Sequence, residues 1–318
     1  ILKAFIDAQD DIWQFGRTYL GHLMPLASPL FHREIIALAS KERRVGIAAP
    51  RNHGKTTLID LLWVLHLLLT GENEEILVIS NTSNLAKDIV RKIKLELENN
   101  EKIQLVFGEF LSWGKEVSAK WTEDHLTIHH PRTGRIVSSL RAKGWGGQVR
   151  GLRPTKVICD DLEDRELVVS EDQRVKLRDW FTTVLMGTIK PDQQLFVIGT
   201  VLHPLSLLAE IIPGKGVFQY WNIKKYRALE QDKALWPERW SKEELEKQKE
   251  QIGSYQFMQE YQNEPIPAES VLVKPDMIER FKELPEFVKI VGACDPAISI
   301  KTSADYTALV WIGVDKDN

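Results

Sequence analysis

Among 318 residues there are only two cysteines, Cys159 and Cys294, far apart and each closing an apolar run just before an aspartate. That spacing excludes a disulfide framework and a thiolate metal centre, and leaves two small residues expected to be buried in a reducing compartment. An excess of one charge sign is missing too. Lys plus Arg number 42 and Asp plus Glu 45, a net charge of -3, so the chain as a whole does not advertise a polyanion partner. The longest apolar run, Leu58 to Leu69, is interrupted by Asp60 and His66 and is too short to cross a bilayer. No secretory pattern opens the sequence, which starts at Ile1, and the expectation is a cytoplasmic protein. None of the eight histidines falls into a metal-ligand spacing; His129 and His130 alternate across an expected strand and cannot face one ion. Internal repeats and low-complexity tracts are lacking as well.

What is present is an ordinary globular composition, 43% hydrophobic, over a length that suits two domains. Residues 1 to 40 read as helices from the spacing in "FIDAQDDIWQF" and "FHREIIALA". "RRVGIAA" is a short buried strand, "TTLIDLLWVLHLLL" an apolar helix closed by Gly71, "EEILVISNT" a second buried strand and "SNLAKDIVRKIKLELENN" an amphipathic helix. This alternation predicts a parallel sheet with crossover helices, hence an α/β fold. From Trp121 to Leu140 the pattern is a hairpin turning at Pro131 to Gly134. "TKVICDD" and "QQLFVIGT" are two further buried strands with polar ends, placed where ligands collect in open α/β sheets. Beyond Thr200 a tryptophan–proline loop leads to a helix opened by the capping pair Ser241 and Glu244. Pro265, Pro267 and Pro275 then mark a linker, and the last segment reads as two strands joined by a polar turn.

The stretch "APRNHGKTT" lies between the first expected strand and its helix. Gly54, Lys55 and Thr56 supply the second half of a phosphate-binding loop: a tight turn, a cation for the phosphates and a hydroxyl for Mg²⁺, at a helix N-terminus that favours anions. Ala49 stands in the first glycine position, which is tolerable where no positive φ is needed. Pro50, Arg51, Asn52, His53 and Thr57 complete the expected ATP-binding set. Arg51 reads either as a contact to the γ-phosphate or as a solvent-facing loop cation, and His53 as a loop filler.

"KVICDDLEDRE" ends a buried strand on carboxylates. Asp160 is the expected Mg²⁺-side carboxylate, while Asp161 and Glu163 compete for the role of orienting the attacking water. Combined with the phosphate loop, this strand end predicts an ATPase. Just upstream, residues 131 to 156 hold seven basic residues (Arg132, Arg135, Arg141, Lys143, Arg150, Arg153 and Lys156) and no acid, around the glycine-rich "KGWGGQ". Such a segment suits contact with a polyanion or with a neighbouring subunit's phosphates, and equally a solvated basic face.

Taken jointly and in this order, "APRNHGKTT", "RGLRPTKVICDDLED", "FVIGT", "LWPERWSKEELEKQKEQIGSYQFMQEYQNEP" and "ACDPA…SADYTALV" resemble the large terminase subunit of tailed bacteriophages, from about residue 30 onward. The resemblance implies an ASCE-type P-loop NTPase core with flanking helices and a small lid subdomain, followed by the start of an RNase H-like (RuvC-like) nuclease. The corresponding ranges are 1–202, 203–265 and 266–318. It implies that Arg51 is the arginine typical of the family's loop and that Thr200 couples hydrolysis to lid movement. Arg150, with Arg153 behind it, would be the arginine finger acting in trans, and Asp295 the first nuclease carboxylate. The implied cofactors are ATP with Mg²⁺, and Mg²⁺ or Mn²⁺ at a nuclease site of Asp295 and Asp305. The implied partners are double-stranded DNA, the portal and prohead, and the small terminase subunit. The implied assembly is a homo-oligomeric ring on the prohead, a monomer in isolation, in the host cytoplasm.

One departure is plain: Asp295, with Asp305 and Asp315 on or near the adjoining strand, is not followed by the later acids of the family pattern, so strand cleavage is expected only of a longer chain. Two alternatives stand beside a packaging motor. A superfamily 2-type helicase or translocase shares both ATP motifs, although its later arginine-rich motifs are not seen after Thr200. A nucleotide-gated assembly protein would bind ATP without motor activity.

Overall fold

The computed structural model describes residues 11–108, 111–113, 120–130, 132–266, 286–295 and 308–316. Pro131 of the expected hairpin turn, Pro267 and Pro275 of the expected linker, Asp305 and residues 1–10 lie outside the described residues. The chain divides into two compact units, Ile1–Val271 and Leu272–Asn318.

The first unit is built on an eight-stranded sheet of order β3-β4-β5-β2-β6-β7-β1-β8. Its strands are β1 (Arg44–Ala48), β2 (Glu74–Ser80), β3 (Ser112–Trp113), β4 (His125–His129), β5 (Ile136–Gly144), β6 (Lys156–Asp160), β7 (Gln194–Gly199) and β8 (Asn222–Lys225). From β5 to β8 all neighbours run parallel; β3 and β4 are antiparallel additions at one edge. The apolar runs explain this, because both faces of the central strands are covered. Val45, Ile47, Ile76, Val78, Ile158, Phe196 and Ile198 join one buried cluster, whereas Leu77, Ile79, Val157, Cys159, Leu195 and Val197 join the other. A period of two that is apolar on both sides is the mark of a parallel sheet between helix layers. On the first face pack α1 (Ile12–Tyr19), α2 (Leu30–Lys41), α3 (Thr57–Thr70) and α4 (Ser83–Asn99). Asp11 caps α1 by accepting from the Trp13 and Gln14 amides at 2.7 and 3.0 Å, and Thr82 caps α4. The second face is covered by α5 (Arg165–Val169) and α6 (Glu171–Asp179), whose Leu167, Val168 and Leu177 are buried.

Three features differ from the pattern expected of the sequence. The helix after the phosphate loop, α3, is bonded as a π-helix over Thr57–Trp63 and becomes an α-helix only over Val64–Thr70. Strand β5 is more than one leg of a hairpin: it pairs antiparallel with β4 and parallel with β2, from Glu74↔Ser138 to Ser80↔Gly144. The polar "SS" within it is tolerated in the core because the Ser138 hydroxyl donates to Leu68 O at 2.7 Å. Strand β8, drawn from the 203–265 stretch, extends the main sheet by pairing with β1. The rest of that stretch has a small core of its own, in which Ala228 and Tyr261 join Leu245 of α7 (Lys242–Ile252) and Phe257 of α8 (Ser254–Glu260). Ser241 and Glu244 form the expected capping box.

In the second unit β9 (Lys289–Asp295) and β10 (Ala308–Val314) pair antiparallel, with Cys294 opposite Leu309 and Asp295 opposite Ala308. Cys159 is buried as expected, whereas Cys294 is exposed. Among the described residues no helix is long and apolar enough to cross a membrane.

Candidate active site

Parallel pairing brings the C-terminal ends of β1, β7 and β6 to one edge: Ala48 lies beside Gly199, and Asp160 beside Ile198. A cavity of about 570 Å³ opens there. Strand β7, which leads to Thr200, lies between the phosphate-loop strand and the acidic strand.

The loop's conformation accounts for its composition. Left-handed φ values fall on Asn52 (59°) and Gly54 (82°) and not on Ala49, so a methyl group in the first position costs nothing. At Gly54 a Cβ would also stand 3.1 Å from the His32 ring and 3.2 Å from Trp236, so glycine is required twice over. His53 is interior to the loop: its Nδ1 donates to Arg51 O at 2.8 Å, and His32 Nε2 donates to His53 O at 2.8 Å. Burial pushes both imidazoles down to about 4, which keeps them neutral braces at physiological pH. Arg51, Asn52, Gly54, Lys55, Thr56 and Thr57 line the cavity, whereas Pro50 and His53 do not.

Lys55 is 8% exposed and its three donors are all engaged. Nζ donates to Ala49 O and Pro50 O at 3.2 Å each and to Thr200 Oγ1 at 2.9 Å. The Thr200 hydroxyl in turn donates to Ala49 O at 3.2 Å. The ammonium of the phosphate loop is thereby parked on the residue that follows β7.

The carboxylates separate by environment. Asp161 takes a left-handed φ of 43°, its N–H donating to Ile198 O at 3.0 Å, and this turn carries its side chain to the cavity. Asp160 is 6% exposed and faces inward towards Asp60 of the π-helical segment, which is 0% exposed. Both carboxyls are held above the usual range, chiefly by burial; they hydrogen-bond to one another, and Asp160 Oδ1 and both Asp60 oxygens have no other donor among the described residues. Glu163 spends both oxygens on backbone: Oε1 accepts from Leu207 N at 2.7 Å and Oε2 from Leu208 N at 3.0 Å. Burial still pushes its carboxyl up to about 7 against those two bonds.

The buried pair gives a pH signature. A carboxyl with a raised folded value is most stabilising below its unfolded value of about 4, and that contribution is lost as pH rises through the folded one. With metal and nucleotide removed by chelation and dialysis, Asp60→Asn is expected to melt above the wild type at pH 8 by ~2–4 °C, about 1 kcal/mol. The gap should close towards pH 4 in thermal melts; a gap independent of pH would show that folding does not raise the Asp60 carboxyl above its unfolded value.

Several contributors carry no local signal in the sequence. Leu23, Met24, Pro25, Leu26 and Trp236 form an apolar wall of the cavity, and Arg165, Arg239, Asn81 and Glu260 add polar groups. Arg239 Nε donates to Asn52 O at 2.7 Å, and Asn81 Nδ2 donates to Asp164 Oδ2. Asn81 Oδ1 accepts from Trp145 Nε1 at 3.1 Å, which ties the glycine-rich turn of the basic stretch to the site. Of that stretch, Lys156 pairs with Glu74 at 3.0 Å, while Arg132, Arg135, Arg150 and Arg153 are exposed. Neither Arg150 nor Arg153 lines the cavity of its own chain. Asp295 is exposed on β9, and no group of three or more His, Cys, Asp or Glu suited to a metal ion occurs among the described residues.

A mostly parallel sheet with a phosphate loop after β1, carboxylates after β6 and a polar-ended strand between them is the fold of a P-loop ATPase. Within that class the chain is similar to the ATPase domain of the large terminase of Thermus phage P74-26. A mutant of that domain aligns with a TM-score of 0.55 at 16% identity, over 77% of this chain and 97% of that one. A second structure of the domain aligns with a TM-score of 0.52 at 17% identity, with the same coverage of 77% and 97%. The large terminase of another phage, a thermophilic bacteriophage, aligns with a TM-score of 0.50 at 10% identity, over 85% of this chain but only 62% of that protein. At such identities the likeness is one of fold. No protein-family model and no curated protein matches the sequence.

Proposed function

We propose that this chain is the ATP-hydrolysing part of a large terminase, a motor subunit that drives double-stranded viral DNA into a prohead. The observation that carries the reading is the convergence of Lys55, Thr200 and Asp161 on one cavity at the ends of β1, β7 and β6. Triphosphate occupies the Lys55 end, and the apolar wall of Leu23 to Leu26 and Trp236 receives the base. The Mg²⁺ that accompanies ATP would be held by Thr56 at the start of α3 and by Asp160, whose buried Oδ1 is left with lone pairs to offer. Asp161, the exposed carboxylate, orients the attacking water. Lys55 exchanges Thr200 for phosphate, which frees the Thr200 hydroxyl. The next amide, Val201 N, donates to Asn263 Oδ1 at 2.9 Å, so the change reaches the lid stretch 203–265.

Arg150 serves a neighbouring subunit's phosphates, with Arg153 as the substitute, in a ring assembled on the portal in the host cytoplasm. Exposed Arg132 and Arg135 suit contact with DNA backbone, which a motor indifferent to sequence requires. The small terminase subunit, and a metal-dependent nuclease domain whose first carboxylate is Asp295, complete the reading for the whole protein.

Steady-state hydrolysis by the purified chain, alone and with duplexes of unrelated sequence, tests it. Turnover stimulated equally by every duplex is expected. Nucleotide binding without turnover would point to a gated assembly protein, and unwinding of forked duplexes to a helicase.

A further inference from the structure

One cluster in the first unit is not accounted for by the motifs. Glu260, the last residue of α8, has a side chain only 7% exposed, yet it is a carboxylate at a helix C-terminus, where the backbone already presents negative carbonyls. Burying a charge there is unfavourable unless cations answer it. Two do. Arg165, at the start of α5, binds Glu260 Oε1 through Nε at 3.1 Å and Nη2 at 2.9 Å. Arg51 of the phosphate loop reaches the same oxygen through Nη1 alone, at 3.3 Å. The Arg51 amide also donates to Glu260 O at 2.9 Å, so loop and helix end are joined through backbone as well.

The two arginines are held unequally. Arg165 is gripped by two nitrogens, Arg51 by one long contact, and the Arg51 side chain is 62% exposed in the cavity that Lys55 lines. One carboxylate shared by two guanidiniums leaves a net positive charge at that point of the wall. An arginine on a flexible stem would otherwise have to be ordered when ligand arrives; a tether removes that cost beforehand.

We propose that Glu260 is the positioning residue for Arg51: anchored by Arg165, it holds the loop guanidinium in the cavity ready for the third phosphate of a nucleoside triphosphate. This rests on the ATP reading of the site. It gives Glu260 and Arg165 a part in telling triphosphate from diphosphate, without either needing to touch the base or sugar.

The test is equilibrium binding of ATPγS and of ADP, each with Mg²⁺, to the wild type, Glu260→Ala, Arg51→Ala and the double variant. Glu260→Ala is expected to weaken ATPγS on the order of tenfold, the scale of coupling between contacting charged groups, and ADP less than about twofold. In the Arg51→Ala background the same change should cost almost nothing more. Equal losses for both nucleotides, or fully additive losses in the double variant, would show a merely structural role and overturn the proposal. Should Glu260→Ala fail to fold, Glu260→Gln, which keeps the acceptor oxygen without its charge, makes the same comparison. A wild type that binds neither nucleotide would remove the ATP reading and this inference with it, whereas binding with additive losses removes this inference alone.

Discussion

Lys55→Ala is expected to reduce ATP turnover by at least about 10²–10³-fold, the usual cost of deleting one preorganised group that stabilises transition-state charge. The fold should survive. Lys55 donates to two loop carbonyls and to Thr200, and both Lys55 and Thr200 line an open cavity from which water can replace the ammonium, so the melting temperature should fall by a few degrees at most. Single-turnover hydrolysis together with thermal melts checks both halves. Wild-type turnover in a folded Lys55→Ala protein would place the chemistry elsewhere.

The carboxylates give the second large effect: Asp161 and Glu163 both line the cavity, and Glu163 has both oxygens engaged by backbone amides. Asp161→Asn is expected to bind ATP and to slow its hydrolysis by about 10²–10⁴-fold, the range for loss of a positioned general base. Glu163→Gln should act chiefly on stability. Both Glu163 oxygens accept amides of the Ser206 to Leu208 turn, and glutamine keeps only one acceptor, so about 1–2 kcal/mol should be lost as one N–H goes unpaired. Turnover by the two variants, measured alongside their unfolding free energies, decides the matter. A folded but inactive Glu163→Gln protein beside an active Asp161→Asn protein would exchange their roles.

How much of this could be read in the chain follows from what neighbours in sequence encode. The phosphate loop and the strands ending at Asp160 and Gly199 were legible because each packs its chemistry into consecutive residues. Alternating apolar runs likewise announced a parallel sheet. Asp60 was not legible: a lone acid in an apolar helix reads as an interruption, and only the π-helical segment and the fold set it against Asp160, a hundred residues on. Glu260 was invisible for the same reason, since its partners Arg51 and Arg165 lie 209 and 95 residues away. The pairing of β5 with β2 and of β8 with β1 also went unread, because a strand's pattern says which face is buried but not which strand lies alongside.

The attachment of the 203–265 stretch restricts how that stretch can move. Up to Lys225 it is stitched to the sheet, and Tyr226 N adds a last bond to Ala48 O at 2.8 Å. The chain then leaves, builds its own small core and comes back at Asn263, whose Nδ2 donates to Tyr226 O at 2.8 Å while its Oδ1 accepts from Val201 N. Departure and return therefore meet at one point, as two pins of a single hinge. Between those pins Trp236 Nε1 donates to Ala27 O at 3.2 Å and Arg239 Nε to Asn52 O at 2.7 Å, so residues 229 to 260 can swing only by giving up these bonds and the Glu260 contacts to Arg51 and Arg165.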